Sequence, residues 1–293
     1  MTGTEATETD PGFRECFYSA QDGLRLYYRD YGQPTSPLTP VLCLGGLTRN
    51  SKDFETVAER LSADGRRVLC PDYRGRGRSE YDRDPQHYHP RTYIDDIRHL
   101  LVATNVHRVC VIGTSMGGLL AMVLAVAMPT VVAGAVLNDV GPAINYRALD
   151  AILDRLRDDP PLRDWDAAAA RLRDQMPGFP RRTDDDWMTV ARGTYRECED
   201  GFLRYDWDPM LLRPLQSDRG ESVDLWPMFR ALGRVPVAAL RGGNSELLTS
   251  DTLERMAEEM PAMLSVTVPD TGHVPSLGEP ESTAAINAII ARV

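Results

Sequence analysis

Residues Arg108–Met128 read RVCVIGTSMGGLLAMVLAVAM. The stretch opens as a β-branched apolar run and closes as an unbroken apolar segment rich in Leu, Ala and Met, with Gly113, Ser115 and Gly117 alternating between them. Glycine packs nothing in a strand and costs backbone entropy. Small residues placed where a buried strand gives way to a buried helix therefore mark a sharp turn that something approaches closely. Gly113-Thr114-Ser115-Met116-Gly117 fits G-x-S-x-G in the strand–turn–helix context that motif requires. A strained turn of this kind lifts the serine Oγ out of the sheet, and the free N–H groups of the helix N-terminus favour negative charge developing there. Ser115 is a candidate nucleophile.

Outward from this stretch, short apolar runs alternate with helical patterns. VLCLGG, RRVLCPDY, RVCVIG and GAVLNDV begin at Val41, Arg66, Arg108 and Gly134, and Leu24–Gly32 alternates with period two as an early antiparallel strand. Ser51–Ala63, Arg91–Thr104 and Met116–Met128 carry apolar residues at three- and four-residue spacing, as helices do. Continuous Val/Leu/Cys runs belong to strands covered on both faces, so the fold class is α/β, a mostly parallel sheet flanked by helices. From Ala143 to Leu225 the pattern stops; the chain becomes Arg/Asp-rich and helical, with Trp165, Trp187 and Trp207 and no convincing buried strand. Strands resume in VPVAALRGG and LSVTVPDTGH, before a closing helix in PESTAAINAIIARV. The expected organisation is one core from residues 1–142 and 226–293, interrupted by a helical cap insertion at 143–225 that returns through a linker, DPMLLRPLQSDRGES.

The chain of 293 residues can bury a substantial core, and 42% hydrophobic with 26% charged residues is ordinary for a globular protein. A net charge of −10 argues against capture of nucleic acid or an anionic membrane surface. No apolar run is long enough to span a bilayer, and Met1–Asp10 lacks the basic and apolar regions of a secretory signal and reads as a disordered tail. The cysteines, Cys16, Cys43, Cys70, Cys110 and Cys198, form no C-x-x-C pair, and Cys43, Cys70 and Cys110 sit in strand-like runs. They read as small core residues of a cytoplasmic protein, neither a zinc site nor a disulfide framework.

A serine nucleophile needs a base. His99 lies in a helical pattern and His107 before a strand, whereas His87 and His89 share a polar loop that reads as solvated rather than metal-binding. His273 follows the last strand, in VPDTGHVPSLGEP, where it can reach the serine across the C-terminal edge of the sheet. A histidine base is in turn oriented by a carboxylate. Glu246, just past a strand in ALRGGNSELL, is the expected acid; Asp139, in VLNDVGP beyond the strand after the nucleophile helix, is the competitor. The glycines and arginines of PDYRGRGRSEYDRD fit neither phosphate-binding fingerprint and read as a structural turn with salt bridges.

With Ser115, Glu246 and His273 in that chain order, the sequence resembles the α/β-hydrolase superfamily, within its cap-bearing esterase and lactonase-like group. LCLGGLTRNSKDF resembles the oxyanion loop, CPDYRGRGRSE the next strand and turn, and LGEPESTAAINAII the final helix. Two departures stand out: Gly45-Gly46 replaces the family's His-Gly, whose histidine buttresses the loop, and Ser245-Glu246 replaces Ser-Asp. The resemblance implies an α/β-hydrolase fold, an oxyanion hole from the backbone N–H groups of Leu47 and Met116, no cofactor or metal, and a small-molecule ester, thioester or lactone as substrate. The same triad also serves carbon–carbon bond hydrolases of vinylogous diketones and perhydrolases. A ligand-binding protein on a hydrolase scaffold is the alternative of another class.

Overall fold

The structure is a computed structural model and describes residues 12–176, 178–179, 182–217 and 224–293. The expected N-terminal tail Met1–Asp10 lies outside the described residues, as do the last five residues, 218–222, of the expected return linker. Eight strands form the main sheet: β1 (Phe13–Ser19), β2 (Arg25–Tyr31), β3 (Val41–Leu44), β4 (Val68–Pro71), β5 (Val109–Thr114), β6 (Val132–Asn138), β9 (Val237–Gly242) and β10 (Leu264–Val268). Their order is β1-β2-β4-β3-β5-β6-β9-β10. β1 and β2 pair antiparallel, β2 runs antiparallel to β4, and all other neighbours are parallel. β1 was not expected; its sequence FRECFYS lacks a clean polar/apolar alternation, and four of its seven side chains face solvent.

The central strands β3, β4, β5 and β6 are buried throughout, as their continuous apolar sequence requires. Alternate residues feed two cores. Leu42, Leu44, Val111, Ala135 and Leu137 pack toward α2 (Pro90–Ala103), α3 (Met116–Ala127) and α8 (Trp226–Ala231) through Ile97, Leu120, Leu124 and Phe229. Val41, Cys43, Cys110, Ile112 and Val136 pack toward α1 (Glu55–Ala63) and α10 (Pro280–Ile290) through Val57, Leu61, Ile286 and Ile289. Met256 of α9 (Ser250–Glu259) joins the first core. Cys43, Cys70 and Cys110 are buried core residues. The pattern read as one helix over Ser51–Ala63 divides in two: Asn50 caps a short 3-10 turn at Ser51–Phe54, and α1 follows.

Between β6 and β9 lie α4 (Tyr146–Leu156), α5 (Trp165–Gln175), α6 (Asp184–Thr194) and α7 (Arg213–Ser217). They are joined by a hairpin of β7 (Tyr195–Glu197) and β8 (Leu203–Tyr205) that the sequence pattern did not reveal. Each strand spans three residues, too few for alternation to register; stacking of the buried Tyr195 and Tyr205 rings, centroids 5.0 Å apart, holds them. The first half of the expected linker is not extended: Pro209–Leu212 forms a 3-10 turn that runs into α7.

The topology also fixes where a site can be. From β3 the chain moves outward to β4, then crosses back over β3 to β5. The carboxyl ends of β3 and β5 thus flank the point where strand order reverses, where open α/β sheets bind ligands.

Candidate active site

Ser115 sits at that reversal, between β5 and α3, with φ +52° and ψ −116°. A non-glycine residue in this region is strained by about 1–3 kcal/mol and persists only when its surroundings enforce it. Three glycines do so. A β-carbon on Gly113 would collide with the Gly117 carbonyl, one on Gly117 with the Leu44 carbonyl, and one on Gly118 with Val140. The turn is therefore wedged between β3 and β6, and the Ser115 N–H donates to the Asn138 carbonyl at 2.9 Å.

His273 meets Ser115 from the loop after β10, with Nε2 3.1 Å from Ser115 Oγ. That loop is held by Asn244 N–H donating to the Thr271 carbonyl at 2.8 Å and by buried Asn138, whose Nδ2 donates to the Pro275 carbonyl at 2.9 Å. The other ring nitrogen, Nδ1, lies 2.6 Å from Oδ2 of Asp139. Asp139 is wholly buried at the end of β6. Its Oδ1 accepts the Gly242 N–H at 2.9 Å, and its Oδ2 accepts the Ser245 hydroxyl at 2.6 Å. A buried carboxylate with three donors is a satisfied one.

Glu246 is not brought to His273, which corrects the expected acid. Its side chain is exposed, and its carbonyl accepts the Asn145 amide at 3.0 Å. The longer side chain could serve only if the Gly242-Gly243 backbone drew back, but a β-carbon on Gly242 would already strike the Thr271 and Gly272 carbonyls. With no room to retreat, the turn points Ser245 inward, and its hydroxyl joins the carboxylate that arrives from β6.

Leu47 and Met116, the other expected site residues, are both partly buried in the two segments that flank the reversal. Met116 is the first residue of α3, so no helix carbonyl precedes it to accept its N–H. A β-carbon on Gly46 would lie 3.9 Å from Ser115 Cβ, which brings the Leu47 loop against the serine. Sequence reasoning missed what supports this loop. Arg76, wholly buried, donates from Nε to the Leu47 carbonyl at 2.8 Å and from Nη1 to Tyr93 Oη at 2.9 Å and the Arg74 carbonyl at 2.8 Å. Burial pushes the Asp72 carboxyl above its usual range despite two backbone donors, Ser51 N–H at 2.7 Å and Arg78 N–H at 2.9 Å. The arginine-rich turn is structural, as read: Arg74 forks onto buried Asp96 at 2.7 and 2.8 Å. Among the described residues Arg76 pairs with no carboxylate, and its donors go to the Leu47 loop, the Arg74 carbonyl and Tyr93 instead.

His87 pairs with Asp82 at 3.0 Å, and His89 caps α2 by accepting the Arg91 N–H at 3.1 Å. Asp22, Asp82 and His87 lie close enough together to hold a cation. Arg74 Nη1 already occupies both carboxylates, at 2.8 Å from Asp22 and 2.5 Å from Asp82. Among the described residues, no helix is long and apolar enough to cross a membrane.

A model of the alpha/beta hydrolase family matches residues 41–286. The chain is 35% identical over 283 residues to a 3-hydroxybutyrate-oligomer hydrolase of Cupriavidus necator, covering 93% of this chain and 94% of that protein. It is 30% identical over 251 residues to a 2-(acetamidomethylene)succinate hydrolase of Mesorhizobium japonicum, covering 83% and 84%. Among solved structures, an alpha/beta hydrolase from Novosphingobium aromaticivorans matches with a TM-score of 0.91 at 39% identity, over 96% of this chain and 99% of that one. A family model that runs from β3 into α10, and hydrolase relatives aligned along most of their length, lead to one conclusion: the chain belongs to the alpha/beta hydrolase family and is a hydrolase.

Proposed function

We propose that the protein is a serine hydrolase that cleaves a small carboxylic ester, thioester or lactone through an acyl-enzyme. The observation that carries this is the contact of His273 through both ring nitrogens, one with Ser115 at 3.1 Å and the other with buried Asp139 at 2.6 Å. Ser115 Oγ attacks the carbonyl as its proton passes to Nε2, and the Asp139 carboxylate stabilises the imidazolium that results. The oxyanion settles on the Leu47 and Met116 N–H groups, each of which contributes about 3–4 kcal/mol to lowering the barrier. Collapse expels the alcohol or thiol with the proton from Nε2. Water, deprotonated by the same nitrogen, then releases the acid and restores Ser115. The segment 143–225 serves as a cap over the site. The resemblance to a 3-hydroxybutyrate-oligomer hydrolase supports an ester, the bond through which hydroxy acids condense.

A fluorophosphonate probe should label the wild-type protein and spare Ser115→Ala. Wild type should also hydrolyse members of a panel of 4-nitrophenyl esters, lactones and the 3-hydroxybutyrate dimer. Turnover by Ser115→Ala close to that of wild type would sink the reading.

A further inference from the structure

Beside the His273 loop, Arg182 makes no ion pair with any acid among the described residues. Arg182, partly buried, stacks its guanidinium on Phe179 at 3.9 Å and lies 5.2 Å from the ring of Trp187. The Phe179 ring is itself pressed against the His273 loop: a β-carbon on Gly272, the residue before His273, would lie 3.2 Å from it. Arg182 Nη1 is buried without a hydrogen-bond partner. A buried donor on a charged group left unpaired is costly and calls for an explanation.

The nearby carboxylates do not supply one, because each is engaged elsewhere. Asp53 takes Arg49 on both oxygens, at 2.5 and 2.7 Å. Asp186 accepts the Thr183 N–H and hydroxyl at 2.7 and 2.8 Å. Glu279 accepts the Ser276 N–H at 2.6 Å and the Ser282 hydroxyl at 2.7 Å. Among the described residues, no acid pairs with Arg182. Burial pushes the Arg182 guanidinium below its ordinary range, and the positive charge of Arg49 pushes it the same way. Arginine keeps its charge even so. Arg49 flanks the nucleophile from the other side: a β-carbon on Gly46 would lie 3.3 Å from Arg49 Cγ and 3.9 Å from Ser115 Cβ. Positive charge thus borders both the serine and the histidine, and on Arg182 the Glu279, Asp186 and Asp53 carboxylates act only from a distance, without an ion pair.

We propose that Arg182 binds a carboxylate on the substrate, so that the preferred ester is an acid ester, neutral at the bond cleaved and anionic at one end. The proposal rests on the serine-hydrolase reading above and adds the class of substrate. A guanidinium forks onto a carboxylate through two parallel N–H bonds, a geometry that lysine cannot copy.

Two matched pairs test it: the 3-hydroxybutyrate dimer with its methyl ester, and 4-nitrophenyl hydrogen adipate with its methyl ester. They place the charge on the alcohol half and the acyl half respectively. Wild type should prefer the acid in at least one pair by about 10-fold or more in kcat/KM, mostly through KM, as expected of a charge-assisted hydrogen bond. Arg182→Met should bring that preference to about one, and Arg182→Lys should retain part of it. Calorimetric titration with adipate reads the anion site without turnover, and binding should be lost in Arg182→Met. A wild type that cleaves neutral esters with no preference for either acid and no adipate binding overturns the carboxylate site alone. So does a preference that survives Arg182→Met. A wild type that cleaves none of the esters yet binds adipate through Arg182 overturns the hydrolase reading and leaves the anion site standing.

Discussion

Ser115 holds a backbone conformation, φ +52°, that suits glycine better than serine. The strain of about 1–3 kcal/mol exceeds the roughly 0.5–1 kcal/mol that glycine loses in chain entropy. Ser115→Gly should therefore raise the melting temperature by about 2 °C while abolishing hydrolysis; a fall in Tm would show that the turn is unstrained. At Asp139 the change of one atom tests the acid. Asp139→Asn turns an acceptor into a donor among three donors, so it should lower kcat by about 10⁴-fold and cost about 1–3 kcal/mol in stability. Glu246→Gln, at an exposed side chain, should change kcat by less than about twofold. Steady-state kinetics on the two variants, with denaturant melts, decide between the carboxylates.

At the scale of elements, the loop after β3 and the arginine turn after β4 act together through the bond from Arg76 to the Leu47 carbonyl. Arg76→Met keeps the bulk but removes the donor, and the Leu47 N–H then loses its fixed direction. We expect kcat to fall about 10-fold or more with KM little changed, because an oxyanion donor acts on the transition state; a rise in KM alone would refute this. None of this coupling was legible in the sequence, since Arg76 finds its partner 29 positions away and by a backbone atom. What was legible had a local cause. The central strands show as runs of Val, Leu and Cys because both faces are covered, and Ser115 shows because glycine must occupy Gly113 and Gly117. His273 was found because few histidines compete. That Asp139 rather than Glu246 reaches His273 was not legible, because it depends on how closely Gly242 abuts the His273 loop, a contact between distant segments. The β7–β8 hairpin was too short to leave a pattern.

Across the whole molecule, Trp187, Trp207 and Leu172 of the segment between β6 and β9 share one continuous core with Leu42, Val111 and Leu137 of the sheet. A common core makes unfolding cooperative. Calorimetry should show a single transition, and two resolved transitions would mean that the proposed cap folds by itself. Exhaustive chelation should leave activity intact, because the Arg74 guanidinium already engages both Asp22 and Asp82; a loss restored by a divalent ion would reverse that reading.

Among the described residues, this segment is attached differently on its two sides. On the arginine-turn side it is stitched down by backbone: Gly77 N–H donates to the Asp206 carbonyl at 3.0 Å and Asp208 N–H to the Gly75 carbonyl at 2.8 Å, with Lys52 salt-bridged to Asp206 at 2.9 Å. On the histidine side the hydrogen bonds come from side chains: Asn244 Nδ2 donates to the Gly178 carbonyl at 3.2 Å and Asn145 Nδ2 to the Glu246 carbonyl at 3.0 Å. For the proposed cap this places the natural hinge at the Gly75–Gly77 seam, and opening there would uncover the serine from the His273 side.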